Sequence, residues 1–191
     1  MPKSIYLDAC VYISVAKKDG VVSKNYGEDI YSLVMTGEIN IRASALLLDE
    51  VGKEHVKEDL SKLNSILRDR TIVAPEPVTE LIIEAAKSIQ KLADEYWQKG
   101  TSTKLSLKDA IHLEIAYSYG VDEFHTCDKK LLGLDPRVLR DSKMIITTPD
   151  NSCIYKRHRD LFSSNLYNTP CEILLEEHIN SREVTRGDYR L

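Results

Sequence analysis

The sequence predicts an α/β domain with a mostly parallel central sheet, followed by a C-terminal extension. Two observations predict it. Short apolar runs recur along the chain, and stretches with helical apolar period fill the intervals between them. The composition agrees: 42% hydrophobic and 29% charged, with only 8 Gly and 6 Pro, belongs to a globular chain that can bury a sizeable core. It excludes collagen-like, disordered and low-complexity classes.

The elements follow in order. Residues 4–7, Ser-Ile-Tyr-Leu, form an apolar run before Asp8, and Val11 to Ala16 continue in a pattern that fits helix. Ile30, Leu33 and Val34 lead to a helix stop at Gly37, after which Ile39, Ile41 and Ala43 alternate with polar neighbours as a strand does. Ser44 is placed to cap a third helix through Leu46, Leu47, Leu48, Glu50 and Val51, with the charged stretch 53–59 facing solvent and a further helical segment over 60–67. Thr71, Ile72, Val73 and Ala74 read as a strand stopped by Pro75 and Pro77. Val78, Leu81, Ile82, Ala85, Ala86, Ile89, Leu92, Ala93 and Tyr96 then keep helical period up to Gly100. A polar loop, 101–105, precedes Ser106 and Asp109, which stand three apart before an apolar helix over 110–119 that Gly120 ends. Val121 to Cys127 form a strand closing on Asp128, and 144–147 form the last strand. The α/β domain is expected over 1–149 and the extension over 150–191. The extension is polar, with the basic cluster Lys156, Arg157, His158 and Arg159 and one helix over 171–179. No internal repeat is present.

Length and charge narrow the function. At 191 residues the chain accommodates one main core with an appendage. A formal net charge of -4 excludes histone-like coating of nucleic acid and leaves only local basic patches for such contacts. No stretch reaches the about 18 apolar residues of a membrane span, because Asp8, Lys17, Asp49 and Glu114 interrupt the richest runs. The N-terminus lacks the pattern of a secretory signal, so a cytoplasmic protein without membrane contact is expected. Cys10, Cys127, Cys153 and Cys171 lie far apart without a CxxC pair, which points to reduced, packed thiols.

In parallel sheets, ligands bind outside the carboxyl ends of the strands, and polar residues just after strands carry the chemistry. Asp8 and Asp128 stand there. Asp109 opens one helix and Glu50 lies one to two turns into another, so four carboxylates from four segments are placed to converge at one sheet edge. Carboxylates held close repel unless a cation compensates them, and hard divalent ions such as Mg²⁺ and Mn²⁺ prefer oxygen ligands. Such a site suits phosphodiester hydrolysis.

Tyr6-Leu7-Asp8-Ala9-Cys10-Val11-Tyr12-Ile13, Ser44 followed by Glu50-Val51, Lys108-Asp109-Ala110-Ile111-His112-Leu113, and His125-Thr126-Cys127-Asp128-Lys129-Lys130-Leu131 carry a resemblance to a known family. In order, spacing and context they resemble the PIN-domain ribonucleases, VapC-like toxins in particular, from about residue 4 to residue 149. The resemblance implies a PIN-like three-layer α/β/α fold and a metal-dependent endoribonuclease. It assigns Asp8, Glu50, Asp109 and Asp128 to the Mg²⁺ or Mn²⁺ site and gives the Thr126 hydroxyl a supporting role. It also implies a homodimer and a small antitoxin that holds the toxin inactive. Two departures stand out. Family members often carry Thr or Ser and then Asn or Ser after the first aspartate, where this chain has Ala9 and Cys10, and the extension exceeds a minimal domain of this type. Ala9 and Cys10 make a catalytically silent PIN-like RNA-binding or scaffold protein the alternative. An aspartate-nucleophile phosphatase is discounted, since Cys10 occupies the place of its second acid.

Plainer roles compete for the same residues. Asp109 also fits a capping pair with Ser106, Asp128 also fits a helix cap, and Asp49 rivals Glu50. His112 and His125 are read as packed or hydrogen-bonded, Cys127 lacks the partners of a cysteine nucleophile, and Trp97 with Tyr96 and Leu92 is read as packing a helix rather than stacking a base. Lys17, Lys18, Lys53, Lys104, Lys108, Lys129 and Lys130, with Arg137, Arg140 and Lys143, form a loose basic group near the crevice. Of these Lys108, Lys129 and Lys130 are the substrate-binding candidates, and single-stranded or looped RNA is the substrate whose phosphates enter such a groove.

Overall fold

The structure, a computed structural model, describes residues 2–53, 62–69, 73–139 and 142–157. Its elements are β1 (Lys3–Leu7), α1 (Ala9–Lys17), α2 (Tyr26–Met35), β2 (Ile39–Arg42), α3 (Ala45–Lys53), α4 (Lys62–Arg68), α5 (Glu80–Gln98), α6 (Leu107–Ser118), β3 (Glu123–His125), α7 (Lys129–Leu132) and β4 (Ile145–Thr147). All four strands pair in parallel in the order β2-β1-β3-β4, with Ile5 opposite Ile41, Tyr6 opposite Phe124 and Phe124 opposite Ile146. The fold is α/β with a parallel sheet flanked by helices, as the alternation of strand and helix predicts.

Parallel pairing puts every strand's carboxyl end at one edge. Asp8 follows β1, Ser44 follows β2 and Thr126 follows β3, and the backbone continues the pairing there: Asp8 N–H donates to His125 O at 3.0 Å and Thr126 N–H to Thr147 O at 2.9 Å. The central strands are buried on both faces because helices cover both. Tyr6 and Phe124 stack at 5.2 Å on the face that meets α6, while His125 meets Tyr26 of α2 on the other. The termini use local polar groups. Ser44 Oγ accepts from Leu47 N–H, Ser106 Oγ from Asp109 N–H, and Asp128 Oδ1 from Lys130 N–H. Gly120, at φ +64, closes α6: its N–H donates to Tyr117 O and that of Val121 to Ala116 O, a pairing that needs a left-handed residue at this point.

A buried polar cluster fixes β3 from the α2 side. Glu123 and His125, two apart on the strand and both fully enclosed, bond at 2.8 Å through His125 Nε2, and Tyr26 Oη meets His125 Nδ1 at 2.5 Å. Ser152 Oγ donates to Glu123 Oε2 and Ile154 N–H to Oε1. The Tyr155 ring packs edge-on against Tyr26 at 5.0 Å and donates its hydroxyl to Asp29. Residues 152–155 are thereby pinned to the sheet. Burial on its own would raise the Glu123 carboxyl, but the bonds from His125, Ser152 and Ile154 outweigh it and hold the group below its ordinary range.

Two sequence expectations differ, and others lie outside the described residues. Val73 and Ala74 are not in a strand: Val73 N–H closes the end of α4 on Asp69 O, Pro75 and Pro77 have no N–H to give a ladder, and the contact with the sheet is reduced to a parallel bridge between Ser44 and Glu76. The strand over 121–127 shortens to Glu123–His125. Thr71, Ile72, Arg140, His158, Arg159 and the helix over 171–179 lie outside the described residues. No helix among the described residues is long and apolar enough to cross a membrane.

Gly27, where α2 passes α1, gives a direct test of the packing. A Cβ there would stand 2.7 Å from Val15 Cγ1 and 3.6 Å from Leu63 Cβ. Valine cannot swing away freely, so overpacking of about 1–3 kcal/mol exceeds the helix propensity of up to about 1 kcal/mol that alanine brings. Gly27→Ala should therefore lower the unfolding free energy in urea. In a Val15→Ala background the same change should raise it.

Candidate active site

The carboxyl edge gathers two linked groups of polar side chains. The first is built on β1 and β3. Asp8, the N-cap of α1, accepts from Ala9 N–H through Oδ1 at 2.7 Å and from the Thr126 hydroxyl through Oδ2 at 2.7 Å. Thr126 is fully buried, and its Oγ1 in turn accepts from Asp128 N–H at 3.0 Å. One hydroxyl thus joins the residues that follow two adjacent strands. Asp128 spends Oδ1 on capping α7 and is half-buried. Cys10 stands where its thiol donates to Asp8 Oδ2 at 3.2 Å, lies 3.4 Å from Thr126 Oγ1 and accepts from Cys127 N–H at 3.0 Å. Contact with the Cys127 thiol, burial and the Asp8 charge all hold the Cys10 thiol protonated.

The second group is built on α3 and α6. Glu50 Oε2 accepts from His112 Nε2 at 3.2 Å, and Glu50 Oε1 is paired with the Lys108 ammonium. A carboxylate only accepts, so in the neutral ring His112 Nε2 carries the hydrogen and Nδ1 accepts from the Tyr6 hydroxyl, 2.6 Å away. Tyr6 Oη lies 2.9 Å from Ser44 Oγ, which caps α3. Hydrogens therefore run in one direction from Leu47 N–H through Ser44, Tyr6 and His112 to Glu50. Burial pushes the Tyr6 phenol far above its ordinary range, the Ser44 bond opposes this, and the Asp8 and Glu50 charges add to it, so Tyr6 serves as a donor. Tyr6 is also the link between the groups, since it lies two residues before Asp8 on β1.

The four carboxylates singled out from the sequence stand as follows. The Asp8 carboxylate and the Asp128 backbone N–H both meet the Thr126 hydroxyl, while the Asp128 carboxylate itself caps α7. Glu50, half-buried, faces α6, whereas Asp49 is exposed. Asp109 adjoins Lys108 in the first turn of α6, and its Oδ2 accepts from the Ser106 hydroxyl at 2.6 Å, so the capping pair is real. Lys129 and Lys130 are exposed on the first turn of α7, while Lys108 is engaged by Glu50. No local sequence pattern joins Lys108 to Glu50 or Tyr6 to Ser44 and His112, and Asp19 and Asp150, whose charges also bear on Cys127, stand outside the four expected carboxylates. Asp150 carried the same signal as Asp8, an acid shortly after a strand, here β4.

All four carboxylates offer the hard oxygen ligands that Mg²⁺ or Mn²⁺ takes. Among the described residues no three His, Cys, Asp or Glu side chains are already gathered to hold a metal ion. Glu50 is engaged by the Lys108 ammonium, Asp109 by Ser106 and Asp128 by the α7 cap, so each of these carboxylates already has a local partner.

Burial alone would raise the Glu50 carboxyl, yet the bonds from His112 and Lys108 prevail and set it below its ordinary 4.5. A depressed carboxylate stabilises the fold above its unfolded pKa and loses that contribution as pH falls through the lower folded value. His112→Ala should move Glu50 upward in an NMR titration of its side-chain carbon and shift the acid unfolding limb to higher pH. An unmoved Glu50 would mean that Lys108 alone sets its charge.

No protein-family model matches the chain, and no curated protein matches it. Among solved structures the chain is similar to one described as the crystal structure of FitAcB from Neisseria gonorrhoeae, with 16% identity over 78% of this chain and 99% of that one and a TM-score of 0.43.

Proposed function

We propose that the protein is a PIN-like, Mg²⁺- or Mn²⁺-dependent endoribonuclease that hydrolyses RNA phosphodiester bonds, with Asp8, Glu50, Asp109 and Asp128 as the metal ligands. The observation that carries this reading is the buried Thr126 hydroxyl, which is 2.7 Å from Asp8 Oδ2 and 3.0 Å from Asp128 N. A hydroxyl fixed by its neighbours orients a carboxylate better than a mobile water does, and such supporting bonds matter most where a carboxylate must meet an ion. A bound Mg²⁺ or Mn²⁺ would supply Lewis acidity and the activation of water for hydrolysis. Asp8 keeps its orientation through Ala9 N–H and Thr126, and Glu50 keeps its orientation through His112. Lys108, once exchanged from Glu50, is free to pair with a substrate phosphate beside Asp109. Lys129 and Lys130 present exposed ammonium groups to the neighbouring phosphates. No side chain forms a covalent bond to the substrate in this scheme.

By resemblance, the same reading extends to a cytoplasmic toxin that dimerises and is silenced by a small antitoxin; co-purification with the product of an adjacent gene tests that extension. The alternative is a catalytically silent PIN-like RNA-binding or scaffold protein. The Lys108–Glu50 pair and the Cys10 thiol on Asp8 favour it, because both already neutralise or occupy oxygens that an ion would need.

A cleavage assay on total RNA with Mg²⁺ or Mn²⁺, with and without chelator, separates the two. Asp8→Asn, Asp109→Asn and Asp128→Asn should each abolish chelator-sensitive cleavage, and Thr126→Val should slow it by roughly 10–100-fold. Lys129→Ala with Lys130→Ala should weaken RNA binding evenly across sequences and reduce its salt slope by about 1.4. RNA bound without cleavage under either ion would establish the silent alternative.

A further inference from the structure

Trp97 is the chain's single tryptophan, the penultimate residue of α5, and it is 48% exposed. The apolar stripe of α5 passes through the buried Ala86, Ile89 and Ala93 to the half-buried Tyr96, and Trp97 falls beside that stripe at the helix end. It does not pack the helix as its neighbours do. Its ring carries the Lys104 ammonium at 5.7 Å, while Tyr96 carries the Arg137 guanidinium at 4.4 Å and the Lys99 ammonium at 5.3 Å. Arg137 is occupied by Asp135, but Lys99, Lys104, Lys129 and Lys130 form no ion pair among the described residues.

The patch is fixed to the carboxyl edge. Gly100, at φ +73, turns the chain out of α5, donating its N–H to Trp97 O at 2.8 Å. Thr103 Oγ1 then donates to Lys130 O at 2.6 Å, and Ser102 Oγ accepts from Asp135 N–H at 3.1 Å. The loop is thus tied to α7, which Asp128 caps, and it runs directly into Lys108 and Asp109. From Lys104 to Asp109 the chain reaches at most about 18 Å.

We propose that Trp97 is a stacking platform for an unpaired base of single-stranded RNA, with Lys99 and Lys104 on the flanking phosphates, leading the strand toward the acidic edge. The identification of the nucleic acid rests on the function proposed above. A solvated ammonium over an exposed ring is a weak contact, so a base can displace Lys104 from the ring and gain the larger stacked area, and the ammonium can turn to the phosphate. A paired base in a duplex has no free face to offer. Lys104 over the Trp97 ring and Lys99 over the adjacent Tyr96 ring match phosphates and bases better than the apolar centre of a protein interface.

Because Trp97 is the sole tryptophan, its fluorescence reports this contact alone. The full chain, with divalent ions chelated to prevent cleavage, is titrated with oligouridylate, oligoadenylate and an RNA duplex. Saturable quenching by the single strands, weakened by salt and absent with duplex, is expected. By anisotropy of a labelled oligonucleotide, Trp97→Ala should bind about tenfold more weakly and Trp97→Phe should recover most of the loss, with unchanged melting temperatures. Equal affinity of wild type and Trp97→Ala, without quenching, overturns the proposal and returns the ring to a protein-docking role. The two readings fail separately: metal-dependent cleavage without a Trp97 contribution removes the platform and leaves the nuclease, whereas quenching without cleavage keeps the platform and removes the nuclease.

Discussion

The hydroxyl of Tyr6 is the constraint around which the edge is organised. It lies on the central strand, fully enclosed, where an unpaired hydroxyl would cost on the order of 1–3 kcal/mol. Its two partners come from elements distant in sequence: Ser44, which starts α3, and His112, one turn into α6. Satisfying one buried oxygen therefore sets the positions of two helices relative to the sheet. The same helices bring Glu50 and Lys108 together, and Tyr6 leads within two residues to Asp8. Chemistry at the edge and packing beneath it share one hydrogen-bonded chain.

The sheet carries a second relay of the same composition on its other face. Tyr26, His125 and Glu123 repeat the order of tyrosine, histidine and glutamate, again through Nδ1 and Nε2. Their ends differ. Glu123 is saturated by Ser152 and a backbone N–H and faces no solvent, so it serves to anchor residues 152–155. Glu50 ends against a lysine whose side chain is 57% exposed. Identical side-chain chemistry therefore ends on an enclosed clasp in one place and on an ion pair that reaches solvent in the other.

Much of this was legible in the sequence because it depends on short-range pattern. The ends of β1 and β4, the caps at Ser44, Ser106 and Asp128, the glycine stops and the inward register of Glu50 against the exposed Asp49 follow from period and register. His112 and His125 are indeed buried and hydrogen-bonded, as lone histidines usually are. The partners were not legible, since Tyr6 and His112 lie 106 residues apart and no local signal links them. Val73 and Ala74 have strand composition but lose their ladder to a helix end and two prolines. Trp97 differs from the half-buried Tyr96 and Leu92 because it stands one residue off the apolar stripe at the last turn, where its ring is 48% exposed.

The strand order carries a consequence for how the chain acquires its fold. β1 lies at the centre of the sheet, yet one of its neighbours, β3, is separated from it by most of the domain; the Asp8–Thr126 bond closes a span of 118 residues. During synthesis β1 emerges first and finds β2 early, but its other edge, with the apolar Ile5, Tyr6 and Leu7, has no partner until β3 arrives. Contacts of such sequence separation are slow to form and leave a strand edge open in the interval. The acidic edge is consequently among the last parts assembled, so a nascent chain lacks the geometry of the site until the sheet has closed.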